Sequence, residues 1–166
     1  LVPQFESQKG GEELSPYQAY LVELKEYRKN CRNALKPFRY DGSITTHFSY
    51  KEYIYAKEVE IATIQNEEYR LSFNAMGVKN EGITIRIYDK ASRFTSRVLL
   101  YEKENVSNTE FTIETTPLVD KLKEAKREDG VEVEIIKHVR LKKLYIDYII
   151  PATDREIEMD QETRKI

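Results

Sequence analysis

Near residue 40 the spacing of apolar side chains changes from every third or fourth position to every second. A chain with one such switch joins a helix to a set of strands. Before it, Tyr17, Tyr20, Leu21, Leu24, Tyr27, Cys31, Leu35 and Phe38 form one apolar stripe, while Glu23, Lys25, Glu26, Arg28 and Lys29 fall on the other faces. Ser15-Pro16-Tyr17-Gln18 places Ser at the N-cap, Pro at the first helical position and Gln where a capping box needs it. Pro37 disfavours helical backbone at the residue before it, so the spacing predicts a helix within 15–36 that ends near Leu35.

After the turn sequence Tyr40-Asp41-Gly42-Ser43 the period is two. Phe48 and Tyr50 alternate with polar residues, as do Val59 and Ile61. Tyr69, Leu71, Phe73 and Ala75 oppose Arg70, Ser72 and Asn74, and Ile83, Ile85 and Ile87 oppose Thr84, Arg86 and Tyr88. Val98–Tyr101 and the pair Phe111 and Ile113 continue the series, with polar turn candidates between the runs. Thr116-Pro117 then opens a second helical spacing over Leu118, Val119, Leu122 and Ala125, ending before Gly130. Alternation resumes at Val131, Val133 and Ile135, and again from Leu144 to Ile150, where Pro151 stops it. Short strands with one face inward predict an antiparallel β-sandwich of eight or nine strands over 43–151, with a short inserted helix at 117–128. The long N-terminal helix is expected to lay its stripe on that sandwich. Residues 1–14 have the composition of a flexible tether, and 152–166 read as one more edge strand or a tail.

Composition excludes several function classes. The chain has 166 residues with 27 Lys plus Arg against 29 Asp plus Glu, a net charge of -2. That balance lacks the basic field of a dedicated nucleic-acid binder. Apolar runs such as Val98–Tyr101 are far shorter than the roughly 20 residues a membrane helix requires, so no transmembrane segment is predicted. The single Cys31 rules out a disulfide within the chain and a multi-Cys zinc site. The chain opens on Leu1, which fits an exported protein whose signal peptide has been removed, with a cytoplasmic protein as the alternative.

The search for catalytic chemistry finds little. His47 and His138 lie far apart, neither in a metal-ligand spacing, and both read as exposed or half-buried strand residues. Cys31 sits on the apolar stripe and reads as a buried, unreactive thiol. No nucleophile elbow, Walker loop or dinucleotide fingerprint is present, so no cofactor, no metal and no catalytic residue are predicted. A carboxylate pair assembled only in space, as in a glycoside hydrolase, leaves no trace in a sequence and stays open as the least favoured alternative. Two surface features stand out. Twelve tyrosines and no tryptophan are present, and Tyr50, Tyr53 and Tyr55 cluster in Tyr-Lys-Glu-Tyr-Ile-Tyr. They are the binding candidates, since Tyr offers a sugar or peptide an apolar face with a polar tip; the competing explanation is strand propensity. Lys137-His138-Val139-Arg140-Leu141-Lys142-Lys143 reads as gatekeeping of an edge or hairpin between apolar strands.

One stretch has a recognisable grammar: Asn-Glu-Glu-Tyr-Arg-Leu-Ser-Phe-Asn-Ala at 66–75, Ile-Thr-Ile-Arg-Ile-Tyr-Asp-Lys at 83–90, Val-Leu-Leu-Tyr at 98–101 and Thr-Glu-Phe-Thr-Ile at 109–113. It resembles the small jelly-roll sandwiches of exported bacterial proteins, of the bacterial pre-peptidase C-terminal type. The two helices lie outside that pattern. The resemblance implies an accessory, non-catalytic module, and carries over no catalytic residue. The expected function is thus a periplasmic or extracellular binding module of the bacterial envelope, its partner a glycan or protein. An intracellular protein-interaction scaffold is the runner-up.

Overall fold

The computed structural model describes residues 13–63 and 67–153. Most of the expected tether at 1–14 and all but the first two residues of the expected tail at 152–166 lie outside the described residues.

Helix α1 runs Pro16–Asn33 with its capping box complete. Gln18 N–H donates to Ser15 Oγ (3.2 Å), and Ser15 N–H donates to Gln18 Oε1 (2.9 Å). The helix stops two residues short of Leu35, and a turn carries the chain on to Phe38. Six strands follow: β1 (Tyr55–Ala62), β2 (Arg70–Asn74), β3 (Ile83–Tyr88), β4 (Leu99–Val106), β5 (Glu110–Glu114) and β6 (Lys143–Ile150). Between β5 and β6 lie α2 (Thr115–Glu128) and the single turn α3 (Val133–Ile136). One antiparallel sheet has the order β1-β6-β3-β4, and β2 pairs with β5 in a second, an arrangement compatible with a β-sandwich.

Alternation places the core. Ile83, Ile85 and Ile87 of β3 and Leu144, Ile146 and Ile150 of β6 are buried together, flanked by Val59 and Ile61 of β1. Strands β3 and β6 are the two interior strands, so their apolar faces have neighbours on both sides. The small sheet closes over them through rings. Phe73 stacks on Phe111 at 4.9 Å, and Phe111 on Tyr101 of β4 at 6.4 Å. Helix α2 completes the core with Leu118 and Leu122.

Helix α1 packs differently. None of its residues is buried. Tyr20, Leu24, Tyr27 and Cys31 are half-buried, and polar groups of β2 fix their position. Asn74 Nδ2 donates to the Tyr27 carbonyl (3.1 Å), Cys31 Sγ donates to the Ser72 carbonyl (3.1 Å), and Arg70 Nη1 donates to the Lys36 carbonyl just past the helix (3.0 Å). The Lys79 ammonium, 2.9 Å from Glu23, holds that carboxyl below its ordinary value. The expected buried, fully packed thiol is therefore half-buried, because α1 lies at the rim of the core.

Three further expectations need correction. Six strands replace eight or nine among the described residues. Phe48 and Tyr50 alternate like a strand, yet the segment makes only an isolated parallel bridge, Lys51 with Ala152. Its rings pack on the core from a loop. Val131, Val133 and Ile135 are not a strand: Val133 and Ile135 are 66% and 58% exposed, while Ile136 is buried in a helical turn. The inward positions there are Ile136 and Val139, three apart, a helical spacing that an alternating reading misses.

Candidate functional site

The clustered tyrosines lie where the chain leaves α1 and enters β1. Thr153 N–H donates to the Lys51 carbonyl (2.8 Å), tying this segment to the end of β6. Tyr50 Oη donates to the Glu81 carbonyl and Tyr55 Oη to the Ser49 carbonyl, so both phenols face back into the protein. Tyr50 turns toward Phe48, edge to face at 5.7 Å, and both rings join the core. Tyr55 opens β1 opposite Ile150. Tyr53 is 59% exposed and the adjacent Ile54 66%. The Tyr53 and Tyr55 rings meet edge to face, with centroids 6.1 Å apart and planes at 61°. Lys51 Nζ lies 5.0 Å from the Tyr55 centroid and 5.8 Å from that of Tyr53, within cation–π range of both. Two of the three candidate rings are thus brought together, around a lysine that sequence reasoning passed over. Tyr50 is half-buried against the core with its ring turned to Phe48 instead. The result is a small angled rim of Tyr53, Ile54, Tyr55 and Lys51.

The other singled-out residues do not converge. His47 is exposed, its Nδ1 2.8 Å from Tyr20 Oη of α1. His138 is exposed too, in the turn after α3 rather than in a strand. It helps line an open depression of about 670 Å³ with Lys126, Val131, Glu134, Ile135 and Val139. The basic run that contains it leads into β6, an interior strand between β1 and β3. Its expected edge-gatekeeping role is therefore wrong for β6: Lys143 pairs with Glu60 of β1 at 3.5 Å across a joined ladder.

Sequence reasoning also missed the charged network on the outer face of the large sheet. Asp147 is buried at 5% exposure, although its neighbours Ile146 and Tyr148 face the opposite side. Its Oδ2 lies 3.0 Å from Arg97 Nη1, and its Oδ1 has no hydrogen-bond partner among the described residues. The Arg97 guanidinium stacks 3.6 Å above the Tyr88 ring. Beside it Arg86 Nε pairs with Glu102 at 2.5 Å, which raises the Arg86 value, and Ser92 N–H donates to Glu58 (2.8 Å). The Arg97 and Ser92 contacts hold the 89–98 loop onto the sheet, a bracing role for Arg97 and Asp147. An Asp within Leu-Tyr-Ile-Asp-Tyr-Ile-Ile was the available signal, since a carboxylate in so apolar a strand requires a cationic partner. Among the described residues no group of three or more His, Cys, Asp or Glu gathers to hold a metal ion.

Comparison with known proteins finds no family model, no curated protein and no solved structure that matches this chain.

Proposed function

We propose that this chain is a non-catalytic binding module of the bacterial envelope, with a jelly-roll-like sandwich of the pre-peptidase C-terminal type, acting in the periplasm or outside the cell. Its ligand is a glycan or a protein segment of that compartment, and its contact surface is the rim at Tyr53. One observation carries this reading. Tyr53 is 59% exposed beside Ile54 at 66%, on a segment pinned at both ends by the Tyr50, Tyr55 and Thr153 hydrogen bonds. An exposed aromatic held rigid loses little conformational entropy on binding, which is what a stacking contact needs. The shifted carboxylate and guanidinium, Glu23 and Arg86, are occupied in ion pairs with Lys79 and Glu102, a structural use of charge.

A glycan and peptide array tests the reading. Weak binding that Tyr53→Ala abolishes, with Tyr55→Phe retaining it, is the expected result. Hydrolytic turnover that survives repurification and is lost on a single carboxylate substitution would overturn the non-catalytic assignment. Fractionation of the native cells, with the protein found only in the cytoplasm, would overturn the compartment.

A further inference from the structure

Helix α1 turns one stripe to the strands, and the side next to it is largely open to solvent. Tyr20, Leu24, Tyr27 and Cys31 face inward, half-buried. At about 100° per residue, and with Leu14 preceding them just before the N-cap, Tyr17, Leu21, Val22, Lys25, Arg28, Lys29 and Arg32 share the side that adjoins this stripe and turns outward. Its first half is apolar and open to solvent: Leu14 is 50% exposed, Tyr17 54%, Leu21 43% and Val22 58%. Its second half is cationic, and the exposed Lys36 and Arg39 extend it beyond the helix end.

Among the described residues no ion pair joins a carboxylate to these charges: the ion pairs engage Arg70, Lys79, Arg86, Arg97, Lys137 and Lys143, none of them in this set. Arg28 donates to the neutral Thr45 hydroxyl and Arg32 stacks on the Tyr40 ring, contacts that orient a guanidinium without neutralising it. The helix's acids are turned elsewhere: Glu23 toward Lys79, Glu26 off to the flank. The whole chain carries a net charge of -2, so the remainder of the molecule is more acidic than the whole.

We infer that the outward face of α1 docks this protein peripherally on an anionic phospholipid bilayer. The complementarity decides the occupant. A helix surface of this kind forms no pocket of its own. It does present short apolar groups and a row of cations, which a bilayer surface satisfies with an apolar interior beneath dispersed negative headgroups. Leu14, Tyr17, Leu21 and Val22 enter the headgroup layer, while Lys25, Arg28, Lys29 and Arg32 lie at the level of the phosphates. The inward stripe stays on β2, so docking requires no unfolding. No helix among the described residues is long and apolar enough to cross a membrane, so the contact is one of resting on the surface.

Sedimentation with phosphatidylcholine vesicles, with and without phosphatidylglycerol, tests this on the intact chain. Binding is expected only with phosphatidylglycerol present, and is expected to weaken as salt rises. Reversing three charges (K25E, R28E, K29E) should lower the partition about a hundredfold or more. Leu21→Ser with Val22→Ser should lower it several-fold, and Lys121→Glu on α2 should leave it unchanged. All these positions are exposed, so melts should match the parent. If the triple variant fails to fold, K25Q with K29Q should still give a loss of about tenfold. Absence of binding to phosphatidylglycerol vesicles overturns the inference, as does binding that the charge reversals leave intact. Capture by polyglutamate or duplex DNA without vesicle binding also overturns it, by assigning the face to another occupant. Tyr53→Ala leaves this binding unchanged, so the rim and the helix face fail or stand separately.

Discussion

The four-stranded sheet and helix α1 carry equally regular apolar patterns, and the fold treats them oppositely. Ile87, Leu144 and Ile150 are completely buried, whereas no side chain of α1 is. Position explains the difference. Strands β3 and β6 have strands on both sides and the Phe73–Phe111 stack above, so each inward side chain is surrounded. Among the described strands and helices α1 has one substantial neighbour, β2, and meets it through Asn74, Ser72 and Arg70 as much as through its apolar stripe. Periodicity reports which face turns inward. The depth of burial depends on how many elements converge there.

The largest effect that separates the two regions is expected at the centre of the sheet. Ile87→Ala removes a fully buried side chain with little scope for collapse, and should cost about 2–5 kcal/mol in a urea melt. A loss no larger than that of an α1 substitution would dissolve the contrast. Alkaline pH should probe the boundary between the regions, where Tyr148 of β6 lies close enough to Cys31 to feel it. Burial first, then Cys31, pushes its phenol from 10.0 up to about 12. In that interval the unfolded chain releases a proton that the folded one keeps. The stabilisation is complete below pH 10 and is lost as pH rises toward 12, by up to about 2–3 kcal/mol. Tyr148→Phe should flatten that part of the stability–pH curve, and an unchanged slope would mean the phenol is solvated.

A third test concerns the rim of the sheet. A Cβ added at Gly82 would lie 2.4 Å from Asn105 Oδ1 and 2.7 Å from the Asn105 backbone, which already holds a positive φ of 55°. Gly82→Ala must displace backbone and should cost about 1–3 kcal/mol. Full stability would show that the β3–β4 end is looser than its packing suggests. The smallest effect belongs to α1. Leu24 is half-buried, so Leu24→Ala should cost about 1 kcal/mol, well below the 2–5 of a core leucine. A cost like that of Ile87→Ala would mean the helix is a core element after all. Native Cys31 should accept a thiol reagent at an intermediate rate, faster than a core thiol.

The amino-acid sequence by itself determined the elements that rest on local chemistry. The Ser15–Gln18 capping box, the 3.6-residue stripe of α1, the alternation of β3 and β6 and the helical start near Pro117 depend on neighbours a few residues away, and a pattern can carry them. It also offered Tyr50, Tyr53 and Tyr55 as binding candidates. Tertiary structure alone decided what those residues face. Tyr50 turned from the other two rings toward Phe48 and the Glu81 carbonyl, 31 positions away, and Lys51 became part of the rim because Thr153 fixes its backbone. Asp147 gained its meaning from Arg97, 50 positions distant. Val133 and Ile135 turned outward because Ile136 found the core at helical spacing. Each of these outcomes is a choice among partners distant in sequence. Alternating side chains look the same whether the strand they imply finds a neighbour or is left a loop, so only packing could decide between them.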